Sequence, residues 1–231
     1  MSQKTEKPVL QGQRIKTRKR DEKEKYDPSA FRNAIIQGLN EAGNDLDQVS
    51  KFLDTAGSKL DYRRYGEPLL DVLIAGGILA PGGFIAVDAD SARPSRTDQC
   101  VFGAKLEHAT LKQHYGVLYK LIRRYKYMEK PLVEEMRKLI MFLKGFSEEE
   151  RQKLAIITGI CLANNLGNPE CLGTLFEEHL VKEGIAMEFA IHLFRAWLVE
   201  KDMGSLGSSL KRAGLETKLL NLLPFNKRTL E

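Results

Sequence analysis

Apolar residues in this chain return three and four positions apart, in runs that open on a capping residue and close on a glycine. Phe31, Ile35 and Leu39 follow Asp27-Pro28 and precede Gly43. Leu46, Val49, Phe52, Leu53 and Ala56 follow Asn44-Asp45 and precede Gly57. Such spacing places side chains on one face of a helix, and a cap followed by proline at the first helical position is a helix start. No window alternates apolar and polar residues with a period of two, so a sheet has no pattern to grow from. The expected fold class is all-α.

The same punctuation continues along the chain. A third helix is expected over 61–75, with Pro68 either kinking it or marking its true start. Further helices are expected over 104–127 and 131–144, and from the capping box Ser147-Glu150 to near Asn164. Asn168-Pro169 repeats the cap-plus-proline start of a helix closed by Gly184; 186–200, 205–213 and 216–223 follow. Trp197 sits at helical spacing among apolar neighbours and is expected in the core. Many helices of similar length on short turns make antiparallel neighbours, and so stacked helical hairpins, an α-solenoid. The exception is residues 77–100, rich in Gly, Pro, Asp and Ser, expected as a long, exposed, mobile loop.

Charge is distributed unevenly. Residues 1–26 hold nine positive and four negative side chains, whereas the whole chain holds 36 and 31. The remaining body is therefore formally neutral, and the first 26 residues carry the entire excess. With few aliphatic residues to bury, 1–26 is expected to be a disordered basic arm ahead of a helical repeat domain over 27–231. Within the arm, Arg14, Lys16, Arg18, Lys19 and Arg20 are candidate contacts to RNA or to an acidic protein. Asp21, Glu22 and Glu24 lie one to three residues from these cations and limit the arm to weak, salt-sensitive association.

Several functional classes find no support. The longest apolar run, Val72 to Ala80, is interrupted by Gly76-Gly77 and too short to span a bilayer. No signal peptide opens the chain, and three cysteines (Cys100, Cys161, Cys171) give no disulfide framework, which suits a reducing compartment. Nucleophile-elbow, phosphate-loop, dinucleotide and zinc-protease motifs are missing. His108, His114, His179 and His192 are scattered, and Asp88 and Asp90 begin a calcium-loop pattern that Ala92 ends. No catalytic residue, metal or cofactor is expected.

Leu111, Leu118, Tyr125, Leu132, Leu139 and Phe146 stand seven apart and imitate a leucine zipper. Lys130-Pro131 reads as a break between two helices inside that seam, and the basic region lies 85 residues upstream instead of running into it. A DNA-binding zipper is thereby disfavoured and a monomer expected.

Two basic–aromatic clusters complete the candidates, Tyr62-Arg63-Arg64-Tyr65 and Lys120 to Tyr127 with Arg123, Arg124 and Lys126. Arginine with tyrosine suits both RNA stacking and protein hot spots. The competing reading packs the tyrosines between helices and leaves the arginines in solvent or beside local acids.

The stretches GQRIKTRKRDEKEKYDP, LDYRRYGEPLLDVLIAGGILAPGG, KLIRRYKYMEK and FLKGFSEEERQKLA, in this order, resemble the eukaryotic basic leucine zipper and W-two domain proteins, also called initiation factor five mimic proteins. The resemblance covers essentially the whole chain. It implies a HEAT or MIF4G-like α-solenoid in a cytoplasmic, non-enzymatic translation-initiation regulator that competes with initiation factor five in the preinitiation complex. In that family, contacts with initiation factors two and three run largely through a C-terminal W-two domain, which this sequence does not contain. The portion in hand is then a scaffold, with RNA binding through the arm and the Arg–Tyr clusters as the alternative.

Overall fold

The computed structural model describes residues 26–80, 84–85 and 96–228. Among them run the helices α1 (Pro28–Ala42), α2 (Leu46–Ala56), α3 (Gly66–Ala75), α4 (His108–Arg124), α5 (Glu129–Met141), α6 (Glu148–Ala163), α7 (Glu178–Lys182), α8 (Ile185–Glu200) and α9 (Met203–Arg212). The main packing partner of a long helix lies two elements ahead. One row stacks α1 on α3, α3 on α5, and α5 on the 3₁₀ segment Pro169–Phe176. A second row stacks α2 on α4, α4 on α6 and α6 on α8. The apolar stripes of both rows close over one buried cluster that extends from Phe31 to Leu222.

The caps read from the sequence are in place. Asp27 accepts the Ala30 N–H at 2.9 Å, and Asp45, not Asn44, caps α2 by accepting from Asp47 and Gln48. Ser147 and Glu150 exchange side-chain-to-backbone hydrogen bonds of 3.2 and 2.8 Å across the first turn of α6. Each satisfies donors that a helix start leaves without an intrahelical partner.

Four expectations need correction. The helix expected over 61–75 begins at Gly66, and Pro68 lies in its first turn, where no backbone donor is required. The single helix expected from Pro169 to Gly184 is a 3₁₀ segment, an extended Glu177 and the short α7. Cys171, Leu172, Thr174 and Leu175 are buried there around Gly173, a poor helix former, and the tighter winding turns them onto α5. The helix expected over 216–223 is likewise 3₁₀, Glu216–Leu222. Finally, the ends of the supposed exposed loop belong to the core: Ile78, Leu79, Thr97 and Cys100 are buried. Val101 and Phe102 N–H groups donate to Leu73 and Ile74 carbonyls, which the end of α3 leaves open. A small antiparallel ladder, β1 (Leu79–Ala80) with β2 (Phe84–Ile85), adds the only strands among the described residues. Residues 81–83 and 86–95 of that loop lie outside the described residues.

Helix α4 stops at Tyr125 (φ −120, ψ 75), and a 3₁₀ turn, Lys126–Met128, leads into α5. The break in the heptad thus falls five to six residues before the expected Lys130-Pro131, and Pro131 sits in the first turn of α5. Leu111, Leu118, Leu132, Leu139 and Phe146 are all buried in this chain's own core.

The most extensive contact joins α6 to α8. Gly159 permits it: a Cβ there would come within 2.5 Å of the Leu193 carbonyl oxygen, a backbone atom that cannot swing aside. Trp197 packs in the same row at 1% exposure, in the core as the sequence implies.

At the end of that row, Glu200 joins three helices. His108 Nε2 lies 2.8 Å, Lys112 Nζ 2.9 Å and Asn164 Nδ2 3.1 Å from its carboxylate. Burial alone would raise this carboxyl, but the three hydrogen bonds and the Lys112 charge outweigh it and bring it from 4.5 down to about 2. A depressed carboxyl contributes stability above its unfolded value, and that contribution is lost as pH falls through the folded value. The loss therefore falls between pH 4.5 and about 2, and screening at the exposed Lys112 keeps it below about 1.4 kcal/mol per pH unit, the value for a fully shielded group. Urea unfolding at a series of acidic pH values should show this loss in the native protein and a much shallower one in Glu200→Gln. Identical pH dependence of the two would remove Glu200 from the account.

Candidate functional site

The two basic–aromatic clusters, some sixty residues apart in the sequence, meet in the fold. The turn Tyr62–Tyr65 lies between α2 and α3, and Tyr125–Tyr127 lies between α4 and α5; stacking α2 on α4 and α3 on α5 brings the two turns together. Tyr62 is fully buried and donates its hydroxyl to the Leu53 carbonyl at 2.8 Å. Its ring stands edge-on to Phe31 on one side and to Tyr125 on the other, with centroids 6.2 and 5.3 Å apart. Burial, reinforced by Tyr125, Tyr127 and Asp54, pushes its phenol upward, so it stays a donor. Tyr65 stacks between Phe31 and Tyr26, at 4.7 and 5.1 Å, and its hydroxyl accepts the Asp27 N–H. The outcome is one connected line of rings: Tyr26, Tyr65, Phe31, Tyr62, Tyr125 and Tyr127.

The arginines lie along the exposed edge of this line. Arg63 sits 4.5 Å over the Tyr127 ring, and Arg64 lies over Tyr26 at 5.3 Å and over Tyr65 at 5.6 Å. Arg124 pairs with Asp54 of α2 at 3.1 Å, and Lys120 with Asp47 at the same distance. Arg123 reaches the Tyr119 hydroxyl at 3.4 Å, and Lys126 is exposed. Both readings of the clusters therefore hold in part. Tyr62 and Tyr65 are core and Arg124 is paired with a local acid, while Arg63 and Arg64 present charge over the rings and Arg123 and Lys126 are exposed. Arg14, Lys16, Arg18, Lys19 and Arg20 lie outside the described residues. Tyr26, assigned above to the arm, is instead part of the described body, where it begins the line of rings.

Beside Arg63 and Arg64 opens a cleft of about 630 Å³ between α1, α3 and α5. Its floor holds two acids that sequence reading missed, Asp71 and Glu135, 4% and 0% exposed. The signal was available. Asp71 interrupts the apolar run Leu69-Leu70-Asp71-Val72-Leu73, and Glu135 falls three after Leu132 and four before Leu139, on the apolar face of α5. Lys138 bridges Glu67 at 2.6 Å and Glu135 at 3.1 Å, and Arg32 donates to the Gly77 carbonyl.

Nucleophilic and metal chemistry has little to work with among the described residues, where no three histidine, cysteine or acidic side chains gather as metal ligands. All three cysteines are free and buried, and burial holds the Cys100 and Cys171 thiols up at about 11 and about 12. They are thiols at neutral pH, poor as nucleophiles. No helix among the described residues is long and apolar enough to cross a membrane.

Comparison with known proteins places this architecture. The family model described as "5MP1/2 HEAT domain" matches residues 15–231. The chain is 55% identical over 228 residues to eIF5-mimic protein 1 of Danio rerio, covering 99% of this chain and 54% of that protein. It is 53% identical over 231 residues to eIF5-mimic protein 2 of Gallus gallus and 52% identical over 230 residues to eIF5-mimic protein 2 of Homo sapiens, again spanning 54% of each. The chain thus spans about half the length of the curated relatives it matches. No solved structure matches it. Two stacked rows of helices, a family model over almost the whole length and identity above one half agree: this chain belongs to the eIF5-mimic proteins and comprises their HEAT domain.

Proposed function

We propose that this chain is the non-enzymatic scaffold portion of a cytoplasmic translation-initiation regulator that resembles initiation factor five and competes with it in the preinitiation complex. Binding of initiation factors two and three rests largely on the portion of the relatives that lies beyond this chain. The HEAT domain contributes a docking face, and the observation that carries this role is that Arg63 and Arg64 lie over Tyr127, Tyr26 and Tyr65 at the two ends of one line of rings, with Lys126 exposed in the same turn as Tyr125 and Tyr127. An arginine held over a tyrosine ring is already partly ordered, so less side-chain freedom is lost when a partner binds it. The basic arm joins the body at Tyr26, where that line begins, so arm and face can act on one acidic partner surface. Docking of this kind is weak alone and raises the effective concentration of a second, linked binding domain.

A competition assay with initiation factor two tests the reading. The HEAT domain alone should fail to displace initiation factor five, and joining it to the rest of a full-length relative should strengthen binding to the preinitiation complex. Arg63→Glu with Lys126→Glu should weaken that gain about tenfold at low salt, about 1.4 kcal/mol. Displacement by residues 1–231 alone would place the activity on this half and overturn the reading. The exposed Tyr26 ring, 54% accessible, favours a second reading, stacking of single-stranded RNA. Binding that is lost on nuclease treatment and falls steeply between about 50 and 200 mM salt would select it.

A further inference from the structure

The cleft floor holds more negative charge than its surroundings explain. Asp71 Oδ1 and Glu135 Oε1 are both closed to solvent, and neither has a hydrogen-bond partner among the described residues. An ionised carboxylate there loses the hydration of that oxygen without a hydrogen bond to replace it. Lys138 at the other Glu135 oxygen, and the Leu79 N–H and Arg32 near Asp71, offset only part of the loss. The groups facing the pair come from every neighbouring element: Arg32 from α1, Glu67 from α3, Lys138 from α5, the Leu79 N–H from β1, and Arg63 and Arg64 at the rim. Their positive members are largely engaged. Lys138 is held between Glu67 and the other Glu135 oxygen, Arg32 is drawn to the Gly77 carbonyl, and Arg63 and Arg64 stack on rings. Because both oxygens are sealed, no ligand reaches them without parting the helices. A proton does.

We propose that Asp71 and Glu135 carry a single proton between them at neutral pH, and that its loss unlatches α3 from α5 along the cleft floor. The electrostatics agree with the geometry. Burial, then the Glu135 charge, holds Asp71 well above the carboxylate range, and burial raises Glu135 to about 7 despite Lys138. Two such groups titrate as a pair, with macroscopic steps that belong to both. A raised carboxyl makes the closed form the better proton binder. The closed form is therefore favoured at low pH, loses that advantage as pH climbs from the ordinary 4.5 through about 7, and levels off above. In that window the opening constant rises by up to about tenfold per pH unit for one proton. The turn that leads into α3 carries Arg63 and Arg64 at the rim, so the latch governs the shape of the face described above without depending on its partner.

Carboxyl-carbon NMR on the intact chain tests this directly. One carboxyl of the pair should remain protonated at about pH 6, and Asp71→Asn should let Glu135 ionise at lower pH. Both carboxyls fully ionised at about pH 5 would overturn the proposal. Amide exchange in α3 and α5, corrected for intrinsic rate, should lose protection as pH rises through the window in the native chain. That loss should be absent in Asp71→Asn and in Glu135→Gln, either of which suffices should the other fail to fold. Protection that does not change with pH in the native chain would equally overturn it. Partner binding enters neither measurement, so failure here leaves the docking reading standing.

Discussion

Alanine in place of Trp197 will destabilise the fold by about 3–5 kcal/mol, a range set by loss of a large buried aromatic and the cavity left behind. Trp197 is 1% exposed on α8, in the row where α6 and α8 make the most extensive helix contact. Phenylalanine at the same position should cost much less. The indole Nε1 has no partner among the described residues, and removing an unsatisfied buried donor returns part of its desolvation cost of about 1–3 kcal/mol. Because the chain has a single tryptophan, unfolding of both variants must be followed by circular dichroism in urea, not by intrinsic fluorescence. A loss under about 1 kcal/mol for Trp197→Ala would mean that the α6–α8 seam yields around the cavity, contrary to the close packing described here.

Leu118→Ala and Leu139→Ala will each lower stability by about 2–5 kcal/mol and leave the oligomeric state unchanged. Leu118 on α4 and Leu139 on α5 are 1% and 0% exposed, so the heptad positions that imitate a zipper are spent on the chain's own core. A zipper also needs a continuous helix, and this one ends at Tyr125 before α5 begins at Glu129. Sedimentation velocity over a range of concentrations, with unfolding curves for each variant, checks both halves of the claim. A concentration-dependent dimer abolished by either change, with the fold intact, would restore the zipper.

What the sequence made legible follows from how local each cause is. Asp27, Asp45 and Ser147 cap helices within three residues of themselves, so pattern alone located those starts. The 3₁₀ winding of Pro169–Phe176 was not legible, because its tight turn goes with the burial of Leu172 and Leu175 and the packing of the segment on α5, a distant partner. Residues 97–100 read as the end of a loop because glycine, proline and aspartate dominate nearby, yet Thr97 and Cys100 are buried and the Val101 and Phe102 that follow are pinned to the end of α3. The candidate face was half legible. Each Arg–Tyr cluster stood out, but their union depends on α2 stacking on α4 and α3 on α5. Asp71 and Glu135 were passed over because an acid in an apolar run looks like noise until its neighbours are known.

The two-row stacking has a kinetic consequence. Principal helix contacts join elements two apart, so closing α1 on α3, α4 on α6 or α6 on α8 orders only a short intervening length of chain, whereas α2 on α4 and α3 on α5 must also close over the long connection between α3 and α4. A chain built this way behaves as a one-dimensional array: stability is approximately a sum of nearest-neighbour terms, and folding can start at any strong pair and spread outward. The α6–α8 pair is the strongest link, so refolding should nucleate there, and the terminal elements α1 and α9 should fray first under mild denaturant. Different probes placed along the array would then report different midpoints, and a single cooperative transition would mean that the couplings between neighbours exceed the differences between them.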